Sequence, residues 1–364
     1  MQKDTELSQQ SGPQPENMEG QEPKDQRPAE SADKIDTQTP SIPAVPANLP
    51  GRTIEELQDE SEQSLVDFDQ AGFRAGFVNI VGRPNVGKST LSNALVGEKL
   101  SVITSKAQTT RHRILGIVNG SDFQMIFSDT PGIIRDPAYK LHDSMNRFIR
   151  SSFLDADVML FLTEPGVEFV DEDPVVQRLK ELGKKVLVLI NKIDKADPGK
   201  VKTEVSIWTE RLPEAEIRQI SALEGHGVPE LLERVQQSLP EHPPYFPTDA
   251  LTDRPERFFA AEIIREKILL HYKQEIPYSV EVSIESFEEE EKIIRMKALL
   301  FCNRKSQKAI IIGKGGQAIK KMGTAARKDL EQFFDKPIYL ETFVKVREGW
   351  RDRDQDLRRF GYDE

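Results

Sequence analysis

Gly82-Arg83-Pro84-Asn85-Val86-Gly87-Lys88-Ser89 is the stretch on which the reading of this chain turns. It carries Gly-x-x-x-x-Gly-Lys-Ser, follows an apolar run at 77–81 and opens the helical pattern Lys88–Val96, which is the context a phosphate loop requires. Its glycines let backbone N–H groups turn inward around a phosphate, and the start of the following helix adds its positive dipole end. Lys88 then reaches the β- and γ-phosphates, the Ser89 hydroxyl ligates Mg²⁺, and Gly82, Arg83, Pro84, Asn85, Val86, Gly87 and Thr90 complete the cradle. A chance Gly-rich turn would need neither the strand before it nor the Lys-Ser pair within it.

Further segments fall at the ends of later strand-like runs, in the order a guanine-nucleotide site needs. Asp129-Thr130-Pro131-Gly132 follows the run at 123–127. A carboxylate there holds Mg²⁺ directly or through water, and the Gly132 N–H binds the γ-phosphate, so that loss of this phosphate releases the loop. Asn191-Lys192-Ile193-Asp194 follows the run at 186–190. Asp194 accepts two hydrogen bonds from the N1–H and amino group of guanine, which adenine cannot offer. Lys192 packs along the base and Asn191 ties this loop to the phosphate loop. Ser221 and Ala222, after the last strand, add a backbone N–H for the guanine oxygen. Alone, each segment is an ordinary turn; as an ordered set they are specific.

Between Ser89 and Asp129 lies Gln108-Thr109-Thr110-Arg111-His112, a polar segment where a switch loop belongs. A threonine there completes the Mg²⁺ shell when the γ-phosphate is present, and Thr110 is preferred to Thr109. His112 invites a reading as a base, but a solvent-facing loop histidine is favoured. Ile133, directly after Asp-Thr-Pro-Gly, stands where many switch GTPases carry the glutamine that orients the attacking water. Isoleucine cannot do so. Hydrolysis is then slow or assisted, with Lys88, Thr110, Gly132 and Asn85 carrying the chemistry and a K⁺ ion, held partly by Asn85, supplying charge where an arginine finger would.

Outward from these motifs, apolar strand runs (77–81, 114–118, 123–127, 158–162, 186–190, 216–220) alternate with helical periodicity (88–96, 138–153, 174–182, 201–211, 228–239). Such alternation argues for a mostly parallel sheet with helices on both faces. Four prolines within 240–247 mark a stiff connector, placed at 241–256, between this domain (71–240) and a second (257–351); residues 352–364 read as a charged tail. Residues 1–70 carry 16 acidic and 5 basic residues, hence all of the formal charge of −11. Their Gln/Glu/Ser/Pro-rich, aromatic-poor make-up predicts a mostly disordered, solubilising extension. No apolar run approaches the roughly 20 residues of a membrane span, and the N-terminus has no signal-peptide core, so a soluble cytoplasmic protein is expected. The single cysteine, Cys302, excludes an internal disulfide framework and fits a reducing cytosol.

The second domain reads helix (258–272), strand (279–287), strand (292–301), helix (306–312), Gly313-Lys314-Gly315-Gly316, helix (317–334), strand (338–346). That is the order of a type II KH domain. A Gly-x-x-Gly loop between two helices lets a nucleic-acid backbone approach closely, and Lys314 with the following helix N-terminus attracts phosphate. Residues 292–351 hold 15 basic and 5 acidic residues, which favours RNA binding over a structural turn. Lys320 and Lys321 belong to that surface, or else to a merely solvated helix face. The fold class is α/β: a phosphate-loop GTPase domain followed by a smaller α+β domain of the type II KH class.

In both domains and in their order, the sequence resembles the Era family of bacterial ribosome-assembly GTPases. Gly-Arg-Pro-Asn-Val-Gly-Lys-Ser-Thr (82–90), Gln-Thr-Thr-Arg-His-Arg-Ile (108–114), Ala-Ala-Glu-Ile-Ile-Arg-Glu-Lys (260–267) and the stretch 310–319 carry the resemblance, which covers 76–351. It implies that the KH domain binds the 3′ end of 16S ribosomal RNA in the precursor of the 30S subunit. It also implies that GTP favours RNA binding and that hydrolysis to GDP releases the protein. Peripheral contact with the cytoplasmic face of the inner membrane is implied by the resemblance and not by composition; a monomer is expected. A KH scaffold that holds GTP structurally, with negligible hydrolysis, is the alternative that Ile133 leaves open. An RNA-modifying enzyme lacks a second catalytic constellation in 251–364.

Overall fold

Strand β1 (Arg74–Gly82) is buried at every residue after Arg74. A near-continuous apolar strand belongs inside a sheet covered on both faces, and β1 lies there in the structure, a computed structural model that describes residues 72–362 except 107, 135 and 171–172. The disordered extension expected for 1–70 lies outside the described residues. With β2 (Ile114–Asn119), β3 (Phe123–Asp129), β4 (Val158–Thr163), β5 (Lys185–Ile190) and β6 (Glu216–Gln219), the strand order is β2-β3-β1-β4-β5-β6. Only the β2–β3 pair in this sheet is antiparallel. Residues of α1 (Lys88–Val96) and α5 (Val228–Ser238) pack on one face. Those of α2 (Lys140–Asp155), α3 (Pro174–Glu181) and α4 (Pro198–Arg211) pack on the other. The order of connections reverses at β1, so the carboxyl ends of β1, β3 and β4 open a crevice where ligands of such sheets bind.

The second sheet is β7 (Val280–Glu289), β8 (Ile294–Cys302) and β9 (Ile338–Val346), with β7–β8 antiparallel and β8–β9 parallel. Helices α6 (Glu256–His271), α7 (Lys305–Ile312) and α8 (Gln317–Phe334) share one core with it. Helix α6 is buried on more than one side. Ala260, Ile264 and Ile268 face the KH core, Phe259 meets Leu100 and Ile114 of the first domain, and even Glu262, Arg265, Glu266 and Lys267 are buried. A helix covered nearly all round is one held between two bodies.

Two segments differ from expectation. The proline-rich connector, expected as a stiff spacer between the domains, lies along β2 and β3. Tyr245 and Phe246 cover Phe77, Ile117 and Ile126, the Gln124 amide bonds to both of their backbones, and Ile117 N donates to Leu251 O at 2.9 Å. Prolines cannot extend a ladder, yet the apolar residues between them can cap a sheet. The charged tail is likewise packed. Helix α9 (Asp354–Arg359) follows Trp350, and Trp350, Leu357 and Tyr362 close against Leu141, Met145 and Phe148 of α2. Three buried side chains anchor the segment, while its charges either stay at the surface as pairs such as Lys140–Asp354 at 2.7 Å or, in the case of the buried Asp356, pair with Arg347 at 2.6 Å.

Candidate active site and nucleic-acid interface

The loop after β1 doubles back because Asn85 (φ 65°) and Gly87 (φ 103°) take left-handed backbone. Gly87 has a second reason to lack a side chain: a Cβ there would lie 2.4 Å from Asn191 Nδ2. That amide donates to Val86 O at 2.8 Å while Asn191 Oδ1 accepts from Ala222 N at 2.9 Å. One side chain thus ties the phosphate loop, the Asn-Lys-Ile-Asp loop and the Ser221-Ala222 turn together. Lys192 adds a bond from Nζ to Asn85 O at 2.8 Å. Asp194 is exposed; the Ser221 hydroxyl donates to it at 2.6 Å and holds its carboxyl below the usual range. Gly132 lies against Pro84, where an added Cβ would come within 2.8 Å of Cγ, and the Thr130 hydroxyl donates to Ile80 O at 2.8 Å.

These loops enclose a cleft of about 410 Å³, lined by Pro84, Asn85, Gly87, Lys88, Ser89, Thr90, Thr110, Thr130, Gly132, Asn191, Lys192 and Asp194. The remaining residues assigned to the nucleotide, Gly82, Arg83, Val86, Asp129, Pro131, Ser221 and Ala222, are not among those lining residues. Arg83 turns its guanidinium over the Phe169 ring at 4.1 Å, so it offers backbone and not charge. Ile103, Lys195 and Leu223 also line the cleft. No sequence pattern marks them, since lone residues on loops have no periodicity.

At the floor of the cleft, Ser89 Oγ and Thr110 Oγ1 lie 2.9 Å apart, and Thr110 Oγ1 is 3.5 Å from Asp129 Oδ2. The Thr109 hydroxyl is instead spent within its own loop, donating to Lys106 O at 2.6 Å. Asp129 is fully buried, which pushes its carboxyl up against the opposing Ser89 bond, and its Oδ1 has no partner among the described residues. A bare buried carboxylate oxygen beside two hydroxyls is the all-oxygen donor set that suits a hard divalent cation. Lys88 donates to Gly82 O at 3.0 Å and Arg83 O at 2.9 Å; burial lowers its ammonium to about 8 although Asp129 opposes the change.

The segment around Thr110 also contacts the second domain. Lys106 Nζ donates to Leu269 O and to Tyr272 O, the latter at 2.7 Å, capping the carboxyl end of α6. Arg265 Nη2 donates to Thr109 O. Arg111 donates to Val280 O (2.9 Å), Pro277 O (3.0 Å) and Glu281 Oε2 (3.0 Å). Arg113 turns back to the first sheet, reaching Ser128 Oγ at 2.7 Å and Asp155 at 2.5 Å.

His112 is buried, not solvent-facing: its ring stacks on Tyr362 at 4.2 Å and Nδ1 lies 3.2 Å from Gly361 O. The cover comes from residues far along the chain, which local polarity could not reveal. Burial pushes the imidazole down to about 3; Glu262 opposes this, while Arg254, Arg265 and Arg111 add to it. The folded state therefore keeps His112 neutral where the unfolded chain protonates it. Stability present above pH 6.5 is lost as pH falls toward 3. Denaturant unfolding at pH 7 and pH 5 is expected to show a loss of about 2 kcal/mol from this group, and His112→Phe to flatten the slope.

In the second domain Gly313 (φ 73°) would place a Cβ 2.6 Å from Ala318 Cβ, and Gly316 (φ 77°) is the left-handed residue from which α8 starts. Lys314, Lys320 and Lys321 are exposed around that helix start. The Tyr272 hydroxyl donates to Ile311 O at 2.8 Å, two residues before Gly313.

Fold and site together define a phosphate-loop GTPase carrying a KH domain. Residues 77–192 match the family described as 50S ribosome-binding GTPase, and 275–351 match the KH domain family. GTPase Era of Syntrophus aciditrophicus is 47% identical over 295 residues, 80% of this chain and 96% of that protein. A crystal structure of an Aquifex aeolicus Era variant bound to GDP·AlF4⁻ superposes with TM-score 0.76 at 40% identity, covering 80% of this chain and all of that one. Era in complex with MgGDPNP and nucleotides 1506–1542 of 16S ribosomal RNA gives TM-score 0.76 at 41% identity over the same share of this chain and all of that one. The chain belongs to the Era family of GTPases, and its first domain hydrolyses GTP.

Proposed function

We propose that this GTPase is a nucleotide-timed RNA-binding factor. With GTP and Mg²⁺ bound it holds the 3′ end of 16S ribosomal RNA on its KH domain, within the precursor of the 30S subunit; hydrolysis to GDP lets the RNA go. One loop, 104–111, carries this proposal because it belongs to both sites. At one end Thr110 touches Ser89 and Asp129. At the other, Lys106 donates to Tyr272 O, and the Tyr272 hydroxyl donates to Ile311 O beside the Gly-x-x-Gly turn. A change at the γ-phosphate thus has a bonded route to the RNA loop. The RNA identity is supported by the Era complex with the 16S segment.

Ser89, Thr110 and Asp129 would hold Mg²⁺, which would neutralise charge on the phosphates of the nucleotide. Lys88 exchanges its two carbonyl partners for phosphate oxygens, the Gly132 N–H takes the γ-phosphate, and Asp194 selects guanine. Ile133 packs half-buried on the apolar core beside α2, so no side chain at that position orients water. Asn85 would help to hold a K⁺ ion, which would supply the charge that no side chain provides there. Hydrolysis is expected to run severalfold faster in K⁺ than in Na⁺ at equal ionic strength; identical rates exclude this cation.

The coupling itself is tested with an oligonucleotide copying the 16S 3′ end, titrated at fixed salt against protein loaded with GDP or with GDPNP. About tenfold tighter binding in the GDPNP form is expected, and equal affinity in both forms overturns it. We place the protein in the cytoplasm as a monomer, with peripheral inner-membrane contact to be tested by vesicle flotation. No helix among the described residues is long and apolar enough to cross a membrane.

A further inference from the structure

We infer that Arg265, a residue of the KH domain, is a positioning residue for GTP hydrolysis in the first domain: through the Thr109 carbonyl it fixes the peptide that presents Thr110 to Ser89 and Asp129. The inference rests on the assignment of Thr110 to the Mg²⁺ shell.

Arg265 is 1% exposed and sits on α6 between the two domains. Its Nη2 donates to Thr109 O, and Glu262, one turn earlier on the same helix, grips Nε at 2.7 Å and also takes a bond from Nη2. The guanidinium is planar and rigid, so a carboxylate clamped on one edge aims the remaining donors. The Thr109 carbonyl belongs to the same planar unit as the Thr110 nitrogen and Cα. Holding that oxygen therefore sets the direction from which the Thr110 side chain leaves the backbone. On the far side of Thr110, Arg111 is pinned in turn by Val280 O, Pro277 O and Glu281. The threonine that meets Ser89 at 2.9 Å is thus suspended between two contacts to the KH domain.

A cation buried in a domain interface also has a plainer role, that of an ion-paired contact which docks the two domains. The two roles separate in their ligand dependence. A docking contact, once weakened, affects both nucleotide states alike. A positioning residue affects the state in which Thr110 engages Mg²⁺ and spares the other.

The experiment uses the full chain and the variants Arg265→Lys, Thr110→Ala and the double variant, with Glu262→Gln as a second route should Arg265→Lys fail to fold. Affinities for GDP and GDPNP are measured at equilibrium across a Mg²⁺ titration, and kcat and KM are taken in parallel. Arg265→Lys, which keeps the charge but loses the fork, is expected to weaken Mg²⁺-dependent GDPNP binding and lower kcat by about tenfold. GDP affinity should stay at the parent value. In the Thr110→Ala background the same substitution should add nothing, because its effect passes through Thr110. Equal weakening of GDP and GDPNP, or full additivity with Thr110→Ala, overturns the inference and leaves Arg265 a docking contact. If Thr110→Ala itself leaves Mg²⁺-dependent GDPNP binding unchanged, the assignment of Thr110 fails first and the inference falls with it.

Discussion

Replacing Lys88 with alanine is expected to lower kcat for GTP hydrolysis by about a hundredfold to a thousandfold, the usual loss when one preorganised donor to a developing charge is removed. Stability should change far less. Lys88 is 6% exposed and its ammonium is lowered to about 8, first of all by burial, so the folded protein already carries a desolvation cost at this position. Its bonds to Gly82 O and Arg83 O offset that cost without exceeding it by much. Phosphate release in single-turnover conditions, paired with a thermal melt, separates the two effects. A variant that hydrolyses GTP within tenfold of the parent would remove Lys88 from the chemistry. A large fall in melting temperature would show that its bonds to the loop carbonyls matter more than its charge.

Arg111→Ala should do the reverse, with the larger loss in stability. Arg111 and Glu281 are both buried, at 1% and 4% exposure, and lie 3.0 Å apart. Burial already pushes the Glu281 carboxyl up, and Arg111 is the strongest group holding it down. Truncating Arg111 leaves a buried carboxylate with the Tyr362 hydroxyl at 2.7 Å as its remaining hydrogen-bond donor, a change that costs about 3–5 kcal/mol in comparable buried pairs. It also strips a donor from the Pro277 and Val280 carbonyls. Urea unfolding measures the loss. Exchanging both partners, Arg111→Met with Glu281→Leu, should recover most of it, since an apolar pair of similar volume avoids the stranded charge. A single variant that unfolds with the parent's midpoint would mean that water or another side chain takes over the site.

The candidate nucleotide site was legible because it is built from short contiguous segments. The phosphate loop, Asp-Thr-Pro-Gly, Asn-Lys-Ile-Asp and Gly-x-x-Gly each act through local backbone geometry, and a few residues in a row specify that geometry. The strands beside them were legible for the same reason, being apolar runs with no competing helical period. What the sequence hid is the joint between the domains. Arg265 reaches Thr109 across 156 positions and Arg111 reaches Glu281 across 170, and neither pair leaves a local trace. Helix α6 concealed most, because nothing local to Glu262, Arg265, Glu266 and Lys267 shows that a second body lies on them. The tail failed in the opposite direction. Its charges were conspicuous, while Trp350, Leu357 and Tyr362 were too sparse to form a pattern.

Closure of that tail on α2 has a consequence for biogenesis. Its contacts join residues more than 200 positions apart, as in Lys140 with Asp352 and Asp354. During synthesis the first sheet is complete once β6 and α5 have been made, yet Leu141, Met145 and Phe148 still wait for partners from 350–362. At about 5–20 residues per second that interval is on the order of ten seconds. For its duration the nascent chain leaves that apolar helix face uncovered, and until residues 265–281 are made its 104–111 loop has none of its contacts to the second domain. A newborn molecule therefore completes the loops around its nucleotide cleft before the last segment that packs on α2 exists.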